Sequence, residues 1–112
     1  MKQSQPVYLK LRDLIAAAII DGTYPEGAML PSVRAFAAEQ GANPLTVAKA
    51  YQLFQLEGLV EVQRGVGMYV AKGAAEQLRQ AERTTFVTKE WPAIAARMRM
   101  LGLEPADLLA GV

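Results

Sequence analysis

The chain has 112 residues, of which 52% are hydrophobic, and its 12 basic and 11 acidic side chains leave a net charge of +1. An apolar fraction of this size supports a packed core and excludes a disordered tail, whereas the even charge balance neither favours nor excludes a nucleic-acid partner. Cysteine and histidine are absent, which excludes disulfides and removes the commonest nucleophile, general base and metal ligand, so we expect no enzyme, no metal site and no cofactor.

The first predicted element is an amphipathic helix over residues 6–20, with Pro6 in its first turn. Its apolar side chains recur at spacings of three and four and therefore share one face. The predicted inner face consists of Val7, Leu11, Leu14, Ile15, Ala18 and Ile19. The residues before this helix lack the apolar stretch of a signal peptide, and no run in the chain approaches the roughly 18 apolar residues of a membrane span. We therefore expect a cytoplasmic protein without a membrane partner.

Two short helices follow, and each begins at a residue suited to cap it. Ser32 is the predicted N-cap of the second helix, which ends at Gly41, and Asn43 is the predicted N-cap of the third, which runs over about residues 44–57. The inner face of the third helix consists of Val47, Ala50, Tyr51 and Phe54. A short turn between two such helices is typical of a helix-turn-helix, in which the second helix of the pair is presented outward. An ordinary helical bundle can contain the same pair, so both interpretations stay open at this point.

A predicted β-hairpin comes directly after this pair of helices. Residues 59–62 and 68–70 alternate apolar and polar side chains as short strands do, and residues 63–67 between them include the glycines of a tight tip. A hairpin in this position is the wing of a winged helix, and Arg64 at its tip is placed to reach a phosphate or the minor groove. We therefore predict a mainly α fold with a small β-hairpin wing, a winged helix-turn-helix DNA-binding domain over residues 1–72.

The remaining residues, 73–112, form a predicted helical tail. Residues 74–83 favour a helix, which the β-branched residues after it and the Trp91–Pro92 step should interrupt, and a last short helix begins at residue 104. An apolar stripe in this tail comprises Phe86, Trp91, Ile94, Met98 and Leu101. The stripe either packs back on the winged domain or pairs with its twin in a second chain. We favour pairing, because a domain of about 70 residues offers little spare surface, and we interpret Trp91 as a dimer-core anchor rather than a ligand cage.

Several spaced motifs within the winged region resemble one known family. They are Met-Leu-Pro-Ser-Val-Arg at 29–34, Ala-Ala-Glu-Gln-Gly at 37–41, Asn-Pro-Leu-Thr-Val-Ala-Lys-Ala-Tyr at 43–51 and Arg-Gly-Val-Gly-Met-Tyr-Val at 64–70. The chain resembles the GntR family of bacterial transcription regulators. Its third helix and short tail resemble the YtrA subfamily, which implies dimerisation through the tail. The sequence departs from the family at Val33, Leu45, Leu53 and Leu56, which bears on the DNA sequence preferred and not on the fold.

The resemblance and the predicted elements together give a set of candidate DNA contacts. The set comprises Ser32, Arg34, Asn43, Leu45, Thr46, Lys49, Arg64 and Gly65. Thr46 and Lys49 are the preferred base readers, since the first turns of a recognition helix lie deepest in the major groove, and Leu45 is placed to touch a thymine methyl. Arg34 is either a solvated surface arginine or a contact to a base edge or phosphate. Ser32 is either a structural cap or a phosphate ligand.

The function expected from these elements is sequence-specific transcription regulation. We predict a repressor that binds double-stranded DNA at an inverted-repeat operator as a homodimer, because two copies supply the affinity that the few cations of one chain do not. The family resemblance implies a transporter operon as the regulated target. The alternative is a winged-helix module that binds another protein through its tail. A small-molecule effector stays open, and the tail helices at Trp91 or the dimer seam are the places where a small cavity could hold one.

Overall fold

The computed structural model describes residues 5–111, and internal contacts divide the chain into two compact units after Leu78. The sequence predicts a boundary after residue 72 instead. The boundary lies later because Ala74 and Leu78 are buried in the core of the first unit. The predicted fold, mainly helical with a two-stranded hairpin, is confirmed.

Helix α1 spans Val7–Ile20, with Pro6 as its N-cap residue. Its buried face consists of Leu11, Ile15, Ala16 and Ile19. The predicted inner face was wrong at Val7 and Leu14, which are 57% and 51% exposed. A helix turns about 100° per residue, so Ala16 extends the buried face on one side while Val7 and Leu14 lie beyond its opposite edge.

Helices α2 and α3 span Val33–Gln40 and Pro44–Leu56. Ser32 and Asn43 are their N-cap residues, and Gly41 ends α2 in the left-handed conformation with a φ of 62°. The buried face of α3 is Val47, Ala50, Tyr51 and Phe54, as predicted. The helix-turn-helix therefore follows from local capping together with one apolar face.

Strands β1 and β2 span Val60–Gln63 and Gly67–Val70 and pair antiparallel. The predicted wing is confirmed, with bounds that differ by one residue. The segment before α2 joins it, since the N–H of Leu30 donates to the carbonyl of Met68 at 2.9 Å. Gly67 permits a close approach, because a Cβ there would lie 2.9 Å from the Sδ of Met29. The sequence predicts only a turn-rich connector for this segment, yet it forms an extra edge of the wing.

The core of the first unit fixes the orientation of α3. Its most deeply buried large side chains are Phe54, Ile15, Ile19, Leu59, Leu78 and Val47. The hydroxyl of Tyr51 donates to the carbonyl of Pro31 at 2.7 Å and joins α3 to the segment that leads into α2. At the rim, the guanidinium of Arg12 lies 5.4 Å from the centroid of the Phe54 ring and 2.9 Å from a carboxylate oxygen of Glu57. The opposite face of α3 is consequently left at the surface.

Helix α4 spans Ala74–Thr85, α5 spans Trp91–Met100 and α6 spans Pro105–Leu109. Between α4 and α5, residues 86–90 form a π-helical turn. The predicted interruption near Trp91–Pro92 occurs as this widened turn, because Pro92 has no N–H with which to continue the hydrogen-bond ladder. Among residues 5–111, no helix has the length and apolar character needed to cross a membrane.

Candidate nucleic-acid interface

The outer face of α3 is an exposed surface that begins in the first turn of the helix. Its residues are Leu45, Ala48, Lys49, Gln52 and Gln55, which line an open depression together with Met68 of β2. Leu45 is 79% exposed. Because the inner face of α3 is buried in the core, this outer face is presented to solvent with a wing strand beside it.

Lys49 is held at the edge of this outer face by an aromatic ring on α1. Its Nζ lies 4.0 Å from the centroid of the Tyr8 ring, a distance at which the ring quadrupole attracts an ammonium group. Tyr8 is half-buried and Lys49 is exposed, so the ring is a fixed platform and the ammonium keeps N–H donors toward solvent. Sequence reasoning selected Lys49 and missed Tyr8, since their contact depends on how α1 packs against α3.

The predicted base readers on α3 differ in how far they point outward. Thr46 is half-buried, because it flanks the buried face that begins at Val47. Leu45, Lys49 and Gln52 are spaced by four and then three residues and point most directly away from that face. Gln52 was not among the predicted contacts, although its helical spacing from Leu45 could have found it.

Ser32 and Asn43 stand at the starts of α2 and α3 with their side chains already hydrogen-bonded. The Oγ of Ser32 accepts from the N–H of Ala35 at 3.1 Å, and the Oδ1 of Asn43 accepts from the N–H of Leu45 at 2.8 Å. Both predicted caps are confirmed. The hydroxyl hydrogen of Ser32 and the amide hydrogens of Asn43 remain donors, and both residues are exposed. Capping a helix and binding a phosphate are therefore compatible roles for Ser32.

Two arginines lie at the ends of the elements beside α3. Arg34 is exposed in the first turn of α2, and Arg64 is exposed in the hairpin turn. Within the part of the chain that the structure describes, neither pairs with a carboxylate. Gly65, next to Arg64, has a φ of 76°, which glycine adopts without steric cost. Both guanidinium groups are available to an anionic partner, and their contact with DNA stays a prediction.

Met68 shows that these elements are neighbours. It borders the outer face of α3 and also lines a cleft of about 250 Å³, whose other walls are residues 29–33, Tyr51 and residues 66–67. The start of α2, the wing and the outer face of α3 therefore meet around one side chain. A helix that enters a groove and a wing that contacts the adjacent backbone need this arrangement.

Tyr51 belongs to the support of this interface and not to its surface. It is 2% exposed, as predicted for a core residue. Burial raises the pKa of the Tyr51 hydroxyl, and the nearby Tyr24 and Glu39 act in the same direction. The hydroxyl therefore stays protonated and keeps its hydrogen bond to Pro31.

The predicted dimerisation residues lie in the second unit. Phe86, Trp91, Ile94 and Leu101 are 45%, 40%, 42% and 58% exposed. Met98 differs, because it is only 8% exposed and so leaves little surface for a partner. The Phe86 and Trp91 rings lie 6.5 Å apart between centroids and form one aromatic patch. Pairing of this patch with a second chain stays a prediction.

A cavity of about 460 Å³ lies beside Trp91, with Arg99 and Glu104 among its walls. This is one of the two places where the sequence leaves room for an effector. Within residues 5–111, the side chains gather no cluster of three or more carboxylates suited to a metal ion.

Comparison with known proteins identifies the winged unit. A family model for bacterial regulatory proteins of the gntR family matches residues 7–70. The chain is 30% identical over 111 residues to the HTH-type transcriptional regulator YhcF of Bacillus subtilis, covering 99% of this chain and 90% of that protein. It is 35% identical over 83 residues to the HTH-type transcriptional repressor YtrA of the same organism, covering 74% of this chain and 64% of that protein.

A solved structure of a GntR family transcriptional regulator from Listeria monocytogenes extends the likeness to the tail. It has a TM-score of 0.76 and 28% sequence identity, and the match covers 98% of this chain and 95% of that one. These relatives are transcription regulators, and two of them match nearly the whole chain. The family resemblance expected from residues 29–34, 43–51 and 64–70 is confirmed, and the chain belongs to the GntR family of bacterial DNA-binding transcription regulators.

Proposed function

We propose that this regulator acts in the cytoplasm as a homodimeric repressor that occupies an inverted-repeat operator. The observation that carries the proposal is the meeting of α2, α3 and the wing around Met68, with Arg34, Lys49 and Arg64 exposed on those elements. A protein partner gains little from cations placed at groove-reading positions, whereas a phosphate backbone gains from each of them.

The contacts divide by chemistry into those that position the protein and those that select a sequence. Ser32 and Arg64 serve the DNA backbone, through a hydroxyl at a helix start and a guanidinium at the hairpin tip. Lys49 and Gln52 serve base edges in the major groove, and Leu45 serves a thymine methyl. Each good base contact is worth about 1–3 kcal/mol of discrimination.

The dimer is supported by the exposed aromatic patch of the tail and by the small number of cations on α2, α3 and the wing, which are Arg34, Lys49 and Arg64. An exposed patch that includes Phe86 and Trp91 favours association with an apolar surface. A symmetric pair of chains binds two half-sites about one helical turn apart, roughly 34–36 Å, and so predicts a palindromic operator. Sedimentation equilibrium tests the dimer, with twice the 12.1 kDa of one chain as the expected mass.

A matched pair of variants makes the dimer test specific. Ile94→Asp places a charge within the stripe, and Ala96→Asp places the same charge on the opposite side of α5, where the residue is also exposed. We expect the first to give monomers and the second to remain dimeric. Two dimeric variants would rule out the stripe as the interface.

Repression and a transporter operon as target are proposed from likeness. The name of YtrA describes a repressor, and the resemblance to its subfamily implies control of transporter genes. The test is genome-wide mapping of bound sites, followed by transcript levels with and without the regulator gene. Binding sites that overlap promoters of transporter genes, with higher transcripts on deletion, are the expected result.

DNA binding itself is tested by selecting sites from a random duplex library with the purified chain, followed by titration of the selected duplex at two salt concentrations. Arg64→Ala should weaken binding to all duplexes alike and reduce the salt slope by about 1. Lys49→Ala should instead change which sequence is selected. The control is Lys72→Ala, since Lys72 is exposed but lies in a depression with Glu26 and Glu61.

The outcomes separate the two candidate functions. A selected palindrome with salt-sensitive, competitor-resistant binding establishes the operator reader. Binding that is weak and equal on every duplex, unaffected by Arg64→Ala, would favour the protein-interaction module in its place.

A further inference from the structure

A small apolar cleft lies between the wing and the start of α2 and shares Met68 with the depression on the outer face of α3. Its volume is about 250 Å³, and its walls are residues 29–33, Tyr51 and residues 66–68. We propose that this cleft binds a small neutral apolar molecule, of the size of one substituted aromatic ring, and that the bound molecule strengthens operator binding. The second statement rests on the proposed function, and the first does not.

The chemistry of the walls defines the class of ligand. None of the described residues that line the cleft carries a charge. The Tyr51 hydroxyl already donates to the Pro31 carbonyl at 2.7 Å. The Oγ of Ser32 accepts from the α2 backbone at 3.1 Å, so the hydroxyl hydrogen of Ser32 is the side-chain donor that the cleft still offers. The N–H of Leu30 donates to the carbonyl of Met68 at 2.9 Å. A charged ligand, or one with several hydrogen-bonding groups, would lose more hydration than this one hydroxyl replaces, so a neutral apolar molecule fits best.

The size and flexibility of the cleft define how large that ligand is. A cavity of about 150 Å³ engineered in another protein binds benzene, so the larger cleft admits one ring with a few additional carbon atoms. Met29, which is 51% exposed, and Met68 contribute unbranched side chains that adapt to the shape of a guest.

The cavity beside Trp91 fits this class less well. Its walls include Arg99 and Glu104, and it adjoins the stripe that we propose to pair with a second chain. The cleft in the winged unit needs no partner to form, because every wall residue belongs to that unit.

The position of the cleft connects it to DNA binding. One wall contains Ser32 at the start of α2, and the other contains Val66, two residues from Arg64 at the tip of the wing. A molecule that contacts both walls braces the wing against α2 and reduces the motion that DNA would otherwise have to restrict. By linkage, DNA must then tighten ligand binding by the same factor.

Methionine methyl spectra of the full chain with ¹³C-labelled methyl groups test the site. Toluene is the probe, and benzoate is its charged counterpart with the same ring. We expect toluene to shift the Met29 and Met68 signals saturably, to leave Met98 and Met100 unchanged, and benzoate to have no effect. Val66→Phe fills the cleft and should abolish the shifts. Val62→Phe, at an exposed wing residue outside the cleft, should retain them.

Equal shifts at Met29, Met68, Met98 and Met100, equal shifts with benzoate, or shifts that persist in Val66→Phe would overturn the site. The selected duplex is then titrated with and without saturating toluene, and a several-fold tighter dissociation constant is expected. Saturable shifts with unchanged duplex affinity would overturn the proposed effect of the ligand on operator binding. Failure of the proposed function is distinguishable, since it would yield no selected duplex while leaving the methyl shifts intact.

Discussion

The contact between Lys49 and Tyr8 predicts a measurable coupling between α1 and the outer face of α3. The Nζ lies 4.0 Å from the ring centroid, and the lysine is exposed, so the attraction belongs to the weaker range of cation–π contacts, about 0.5–1 kcal/mol. Tyr8→Leu removes the aromatic face, whereas Tyr8→Phe keeps the face and removes only the hydroxyl. The coupling should therefore disappear in the first variant and survive in the second.

A double-mutant cycle with Lys49→Met measures this coupling in urea unfolding of the full chain. The cycle with Tyr8→Leu should give a coupling energy of about 0.5–1 kcal/mol. In the Tyr8→Phe background, Lys49→Met should change the free energy of unfolding by the same amount as in the wild-type protein. A coupling energy of zero in the Tyr8→Leu cycle would refute the role of the ring. A coupling energy as large in the Tyr8→Phe cycle as in the Tyr8→Leu cycle would refute it as well.

The same variants connect this contact to DNA. If the ring holds Lys49 in place for base contact, its loss should weaken binding to the selected duplex by roughly two- to five-fold, the equivalent of about 0.5–1 kcal/mol. The loss should be absent in the Lys49→Met background, because no ammonium is then left to position. An equal loss in both backgrounds would assign Tyr8 a purely structural role.

Three further predictions concern the support of the interface. Phe54→Ala should lower the free energy of unfolding by about 3–5 kcal/mol, because Phe54 is fully buried; a loss below about 1 kcal/mol in urea denaturation would contradict its central place. Ser32→Asp should keep the N-cap and therefore the stability, but its carboxylate should repel a phosphate and weaken duplex binding. Ser32→Ala should lower the free energy of unfolding by about 1 kcal/mol. Unchanged duplex affinity of Ser32→Asp would exclude the phosphate contact. Burial raises the pKa of Tyr51, so the unfolded chain ionises first and stability should fall as the pH rises above about 10. Tyr51→Phe should flatten this fall, and urea denaturation on both sides of that pH checks it.

Local signals account for the parts of the fold that the sequence predicts well. The caps at Ser32 and Asn43 and the turn at Gly41 depend on residues close in the chain, so their chemistry is visible in the sequence. The buried face of α3 follows from helical spacing alone. These features place the outer face of α3 at the surface before any tertiary contact is known.

Features that depend on packing between elements were not predictable in this way. Tyr8 meets Lys49 only because α1 crosses α3, and residues 27–30 join the wing only because the hairpin folds beside them. Hydrophobicity and helical spacing also do not show which apolar side chains fill the core, since Val7 and Leu14 fit the spacing but are exposed. The Pro92 step indicated an interruption, but its form as a π-helical turn depends on how neighbouring carbonyls find other donors.

A net charge of +1 is compatible with DNA binding because the cations differ in their surroundings. Arg12 is neutralised by carboxylates at 2.9 and 3.6 Å, and Lys72 shares a depression with acidic side chains. Arg34, Lys49 and Arg64 lack such partners within the described residues. Since mobile ions weaken the interaction between exposed charges as their separation grows, with a screening length of about 8 Å at physiological salt, a phosphate in contact with these three groups responds mainly to them and less to the net charge of the chain. One chain then offers few cations to the phosphate backbone, which agrees with the proposal that two copies bind the operator together.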